Sequence, residues 1–229
     1  MKRYISILLV VLMLLAAGCA KEPTPQPQEV ELQAEGLWRA EDGAYLGIFA
    51  NGAIIVFDET SAKQGQWSEE DGNVSAVFAD CVLQGKYTAE ESSLIYEHDG
   101  QGRLVAEGRT YVSVSDAEAF RNVASQIDVY QQSGAAAWMS QTEINMGYGA
   151  IYKLWDGLEQ MLFVKFILTV DEQALWQEDE EAWKQMRQDE MDAARAEFEG
   201  GTVASMMASS CGIMLTVERV WTMLSMLDA

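Results

Sequence analysis

Near residue 115 the hydrophobic pattern changes its period. Before that point, short apolar stretches alternate with Gly-, Asn- and Asp-containing turns. After it, apolar residues recur at helical spacing. Neither a single sheet nor a single bundle accommodates both patterns. The expected fold class is therefore α+β with two domains. A small antiparallel β-barrel or meander occupies residues 34–114, and an all-helical bundle of about four helices occupies residues 115–229.

Strand candidates in the first part are Gly36–Ala40, Ala44–Ala50, Ala53–Asp58, Gln64–Ser68, Asn73–Ala79, Val82–Ala89, Ser93–Glu97 and Arg103–Val114. Asn51-Gly52 between two of them reads as a two-residue hairpin turn, in which both positions need positive φ. Glu41-Asp42-Gly43, Glu70-Asp71-Gly72 and Asp99-Gly100 mark further turns. Glu69-Glu70-Asp71-Gly72 lacks the alternating ligand spacing of a calcium loop and reads as a solvated turn. A loose Gly-x-aromatic repeat (Gly36-Leu37-Trp38, Gly65-Gln66-Trp67, Gly85-Lys86-Tyr87) puts a small and a large residue on one strand face. With Gly36-x-Trp38 near the first strand, this part resembles the small lipocalin-like barrels of bacterial lipoproteins. At this length a barrel filled by its own side chains is favoured over one holding a small apolar ligand.

In the second part, Ser115-Asp116-Ala117-Glu118 has the pattern of a capping box. Phe120, Val123, Ala124 and Ile127 follow, and Ser133-Gly134 is the expected end of that helix. A second stretch carries Ile144, Tyr148, Ile151, Trp155, Leu158 and Leu162 on one face, with Gly147, Gly149 and Gly157 as expected weak points. A third, near Glu172–Phe198, aligns Trp176, Trp183 and Met186, and Gly200-Gly201 stops it. The last, near Thr202–Leu227, aligns Ile213, Val217, Val220, Trp221, Leu224 and Leu227. The methionines Met206, Met207, Met214, Met223 and Met226 are expected to fill the core.

The first 33 residues belong to neither part. Lys2 and Arg3, the apolar run Tyr4–Leu15 and the small residues Ala16-Ala17-Gly18 form a signal peptide over residues 1–18. The run is shorter than the ~20 residues a membrane-spanning helix needs. Leu15-Ala16-Ala17-Gly18-Cys19 resembles the lipobox of bacterial lipoproteins. That resemblance implies diacylation of the Cys19 thiol, cleavage before it, and an extracytoplasmic protein anchored to the bacterial membrane through lipid. Residues 19–33 contain Pro23, Pro25 and Pro27, the three prolines of the chain, and read as an extended tether.

Charge narrows the partners. The chain has 36 acidic and 15 basic residues, a formal net charge of −21, which disfavours nucleic acid and anionic surfaces and favours a basic protein. Beyond Cys19 only Cys81 and Cys211 remain, and one disulfide or two free thiols are both open. One histidine, His98, and the absence of Cys-x-x-Cys or His-Glu-x-x-His spacing leave no metal or cofactor site to name. No nucleophile–base pair stands out, so the chain does not read as an enzyme and has no catalytic residues to assign.

Four pieces of the helical part fall in a recognisable order: Gln141-x-Glu143-x-Asn145; Ala182-Trp183-x-x-x-Arg187; Gly200-Gly201-Thr202; and Cys211-x-x-x-x-Thr216-x-x-Arg219. Over residues 137–227 this resembles the LprI-like lysozyme-inhibitor family of secreted bacterial proteins. The resemblance implies an all-helical extracytoplasmic module and, in the named member, inhibition of lysozyme. It also singles out Trp183, Arg187 and Arg219. From the residues themselves, Trp183 is expected in the core, Arg187 is expected to pair with Asp156 or Glu190, and Arg219 is expected to act similarly from the last helix. Positions where the family carries further cysteines read Gly147 and Met191, so its disulfide pattern is not open to Cys211, and the Asp that follows the family arginine is Gln188. The expected function is a surface-anchored binding protein that inhibits lysozyme-type cell-wall hydrolases. The alternatives are a carrier of a small apolar ligand through the β domain and a structural envelope lipoprotein.

Overall fold

The computed structural model describes residues 34–83 and 86–227, and of residues 80–90 the backbone alone. The signal, Cys19 and the tether lie outside the described residues. Eight antiparallel strands close into a barrel in simple sequence order. They are β1 (Gly36–Ala40), β2 (Tyr45–Ile48), β3 (Ala53–Phe57), β4 (Ser61–Glu70), β5 (Asn73–Leu83), β6 (Lys86–His98), β7 (Arg103–Ala106) and β8 (Arg109–Val114). β8 pairs back onto β1 through Leu37↔Val114 and Trp38↔Ser113. Four helices follow: α1 (Ala117–Ala137), α2 (Gln141–Ile167), α3 (Gln173–Glu197) and α4 (Ala204–Met226).

The turns differ from the sequence expectation in an instructive way. Asn51-Gly52 is not a two-residue turn: Gly52 alone of the pair has positive φ, at 82°. Phe49–Gly52 form the loop, closed by Phe49 N–H to Ala53 O and Gly52 N–H to Phe49 O. Asn51 uses its side chain instead, accepting from Ala53 N–H and donating to the helical part. The two-residue turns with both φ positive are Asp71-Gly72 (52° and 76°) and Glu107-Gly108 (49° and 78°). The second cuts the expected strand Arg103–Val114 into β7 and β8. The expected strand Val82–Ala89 likewise spans the junction of β5 and β6.

The barrel wall has two different sides. Trp38, Leu46, Ile48, Ile54, Phe78 and Tyr96 point inward and, with smaller residues, fill the interior, as a small barrel requires. Trp38 also donates its indole N–H to Ala34 O. Outward residues of β1–β4, among them Leu37, Tyr45, Ile55 and Phe57, pack on Phe120, Val123, Ile127, Ile151, Trp155 and Leu158 of α1 and α2. This is why β2 is buried at every residue instead of alternating. Elsewhere on the outer face of the barrel, Val77, Ile95 and Val112 remain exposed.

Helix ends also depart from expectation. Asp116, not Ser115, caps α1, accepting from Ala119 N–H. The full capping box belongs to α2, between Ser140 and Glu143. α1 runs past Ser133-Gly134 to Ala137 because Gly134 is the seat of the Trp138 ring, 2.7 Å from where a Cβ would stand. The glycines of α2 interrupt nothing. Gly147 takes the other side of Trp138, and Gly157 receives Phe49 from the β2–β3 loop, whose Cβ lies 2.5 Å from the Cβ position. In α4 only Met223 of the methionines joins the core, while Met214 and Met226 are exposed, as is Trp221 at 39%.

Candidate functional site

α3 is an unusual helix for a bundle. Its buried residues are Glu180, Arg187 and Met191, so polar groups occupy the stripe that apolar ones normally hold. Trp183 is half-buried and Met186 exposed, which corrects the expectation of an aromatic-apolar core face. The residues facing α3 explain this. α2 presents Tyr152, Asp156 and Glu159, and α4 presents Gly212, Thr216 and Arg219, in each case at intervals of three or four residues, on one face.

The arginines organise the cluster. Arg187 donates to Asp156 Oδ1 at 2.7 Å and to Thr216 Oγ1 at 3.0 Å. Thr216 donates in turn to Gly212 O at 2.7 Å. Asp156, one of the two carboxylates the sequence offered, is thus the partner of Arg187. Arg219 bridges Asp179 at 2.8 Å and Glu180 at 3.1 Å. Trp183 lies against both guanidiniums, 4.6 Å from that of Arg187 and 5.3 Å from that of Arg219. Such contacts strengthen when desolvated. Trp176 adds a second ring beside Arg219 and meets Phe166 edge-on at 4.8 Å. The three residues singled out by the sequence are therefore brought together, with Trp183 as a plate between charges and not as core.

Two acidic side chains lie deeper. Glu180 is 2% exposed and Glu159 fully buried. Glu180 is balanced by Arg219 and by Lys184, 3.2 Å away. Glu159 has no ion-pair partner among the described residues, and Arg187 and Lys184 act on it only from a distance. Burial, and then the neighbouring Glu180 carboxylate, push its carboxyl up to about 8. At neutral pH Glu159 is an uncharged acid beside the Glu180 carboxylate. The sequence signal for this pair was a glutamate inside each apolar stripe.

The cluster reaches into the barrel. Asn51 of the β2–β3 loop donates to Lys153 O at 2.7 Å and to Asp156 Oδ2 at 3.3 Å. Gln160 donates to the same Asp156 oxygen. Gly212 permits close approach: an added Cβ would meet Met191 Sδ and the Tyr152 ring at 2.7 Å. Gly147 and Met191 are both packing residues. Cys211 is a free, half-buried thiol, and burial, followed by Glu190, raises its pKa, which makes it a weak nucleophile. The side chain of Cys81 lies outside those described.

Chemically, this arrangement holds helices together. Its charges are spent on one another, and no nucleophile sits beside a base. Several open spaces among the described residues adjoin the barrel away from this cluster. One is a groove of about 590 Å³ between the β3–β5 wall and the first half of α2. Another is a pocket of about 260 Å³ at one end of the barrel.

Comparison with known families matches the helical part. Residues 132–221 fit the model of the family described as Lysozyme inhibitor LprI. Comparison with curated proteins and with solved structures returns no match. The LprI segment runs from the last turns of α1 to most of α4 and contains every helical member of the Arg187–Arg219 cluster. It excludes the barrel, so Asn51 is a contact that the barrel adds to an LprI-type core.

Proposed function

We propose that this chain is a lipid-anchored, extracytoplasmic binding protein whose helical part engages a basic protein and inhibits a lysozyme-type cell-wall hydrolase. The observation that carries the reading is the distribution of charge on α3. Residues 171–199 hold 11 acidic side chains, and all but Glu180 are exposed. Of the three basic residues of that segment, Arg187 is buried against Asp156, Lys184 is partly exposed and paired with Glu180, and Arg195 pairs with Asp192 on the surface. Folding thus withdraws Arg187 from the outer face and leaves ten exposed acidic side chains against two cations, Lys184 and Arg195, which steers a cationic protein toward it. The LprI match supports the choice of partner, and the lipobox-like Leu15–Cys19 supports placement at a membrane surface.

The test is lysis of a cell-wall suspension by a panel of lysozymes with purified protein added. Inhibition should weaken as salt shortens the Debye length from about 10 Å at 0.1 M. It should also be lost when Glu178, Glu181, Asp189 and Asp192 are all changed to lysine. Absence of both inhibition and binding across the panel overturns the reading. For the anchor, incorporation of a fatty-acid analogue should be abolished by Cys19→Ser.

A further inference from the structure

The pocket at the barrel end has a chemistry that neither the interior core nor the helical cluster uses. Lys63 of β4 stands opposite Val56 of β3, and directly paired residues share a face of the sheet. Val56 packs on the interior core, so Lys63 belongs to the inward face. Arg109 stands opposite Ala106, another interior residue, and is also inward. A chain with 36 acidic and 15 basic residues has therefore turned two of its cations into the mouth of a barrel whose interior is otherwise apolar.

The two cations are not equivalent. Arg109 is held by Asp42 at 2.7 Å and Asp58 at 3.5 Å, and Asp58 also accepts from Thr60 and Ser61, so that group is balanced. Glu107, the other carboxylate at the rim, is an exposed turn residue. Lys63 is half-buried and has no ion-pair partner among the described residues. Tyr96 lines the same pocket with 0% exposure, and its hydroxyl has no hydrogen-bond partner among the described residues. Its ring meets Tyr111 edge-on at 5.9 Å. Burial raises the Tyr96 phenol, which keeps it a neutral donor. A buried donor without an acceptor, sharing one pocket with a cation that is unpaired among the described residues, calls for an anion that also accepts hydrogen bonds.

The remaining walls set the size and polarity of that anion. Val56, Phe57, Phe78 and Leu94 are apolar, and Ser61, Ser92 and Ser93 add hydroxyls at the same pocket. The space of about 260 Å³ equals the volume of roughly nine waters at about 30 Å³ each, at the lower edge of ligand cavities. We infer that the open end of the barrel binds a small monocarboxylate with a compact apolar or aromatic body, its carboxylate on Lys63 and the Tyr96 hydroxyl and its body against Val56, Phe78 and Leu94. This site is independent of the acidic face of α3.

Calorimetric titration of the purified full chain with benzoate tests it, with benzyl alcohol as the uncharged counterpart of the same shape. Benzoate should bind saturably, and benzyl alcohol at least tenfold more weakly. Lys63→Met, which keeps the apolar stem, should weaken benzoate at least tenfold, and Lys63→Arg should restore most of the loss. Tyr96→Phe, which removes one oxygen, should weaken it several-fold. Thermal melting and circular dichroism of each variant establish that it is folded, and Lys63→Arg keeps the test decisive if Lys63→Met does not fold. Amide shifts on binding should fall on β3, β4 and β6. Absence of saturable binding, equal affinity for benzyl alcohol, undiminished binding by folded Lys63→Met, or shifts confined to the helices would each overturn the assignment.

Discussion

The two sides of α2 are built on opposite principles. Toward the barrel, α2 meets β1–β4 through Leu154, Trp155 and Leu158 against outward residues such as Phe49 and Ile55, all buried and apolar. Toward α3 and α4 it presents Tyr152, Asp156 and Glu159, which meet the Arg187 guanidinium and a second carboxyl. Apolar burial is strong and indifferent to direction. A buried polar network is costly unless its members meet in one arrangement. The barrel side therefore supplies cohesion, while the α3 side supplies register. That division suits a helix whose outer face is meant for solvent and charge, since α3 has few apolar residues to spend on its own attachment.

The contrast breaks most sharply at Arg187. Arg187→Met should destabilise the protein by about 3–5 kcal/mol, the cost of leaving one partner of a buried ion pair alone. Urea unfolding gives that number, and hydrogen exchange shows where it acts. Amides of α3 should lose protection while those of β2 and β3 keep theirs. If α3 protection is unchanged, the cluster is not what holds this helix. The double change Asp156→Leu with Arg187→Met should recover much of the loss, because it removes the stranded carboxylate along with its partner.

Glu159 sharpens the same contrast through pH. Its carboxyl titrates near 8 in the folded protein, against about 4.5 in the unfolded chain. Between those values the folded state holds a proton that the unfolded state has released, so stability falls as pH rises through this window and levels off above about 8. Below about 4.5 both states are protonated and this cost is absent. Asp58, Asp99 and Glu143 are shifted the other way, downward, and act at the acid end. Glu159→Gln, which stays neutral, should flatten the decline between pH 5 and 8. An unchanged slope would mean that Glu159 is ionised in the fold.

Several of these features were legible in the chain and others were not, for physical reasons. The change of period at residue 115, the antiparallel barrel and four helices could be read because each element is amphipathic on its own, whereas β7 and β8 read as one strand and the β5–β6 junction as a separate one. The turn at Asn51 misled, since an Asn-Gly dipeptide reports only that tight turns are allowed there. It does not report that α2 waits 2.7 Å from the Asn51 amide. Gly134, Gly147 and Gly157 read as helix ends or weak points because a missing Cβ costs a lone helix stability. In the fold they are the seats of Trp138 and Phe49. Trp183 looked like core because a helical stripe records the side of a residue, not whether a guanidinium or a leucine will cover it. Glu159 and Glu180 were visible only as exceptions to a pattern.

The barrel side is tested at Gly157. Gly157→Ala forces a Cβ to within 2.5 Å of Phe49 Cβ, and Phe49 is fully buried. Overpacking of this kind costs about 1–3 kcal/mol. Gly149 lies two turns earlier in the same helix with nothing within 4 Å of its Cβ position. Gly149→Ala should stabilise by about 0.4–1 kcal/mol through the unfolded chain. Thermal melts of the pair separate helix propensity from docking. Equal effects would show that Phe49 moves aside and that the joint is looser than its burial implies.

The smallest effect concerns whether the two principles communicate. Asn51 touches both: its loop residue Phe49 fills the apolar joint, and its own amide reaches Lys153 O and Asp156, the carboxylate that Arg187 holds. Asn51→Ala removes these bonds and should cost about 1 kcal/mol. The informative quantity is its coupling to Arg187→Met in a double-mutant cycle, expected at about 0.5 kcal/mol or more for residues sharing a partner. A positive coupling means that Asp156 is positioned from the barrel and from α3 at once, so that a barrel absent from the LprI segment still orients an LprI-type cluster. Strict additivity would instead mean that the hairpin rests on α2 without acting on α3, and the acidic face would then be a property of the helices alone.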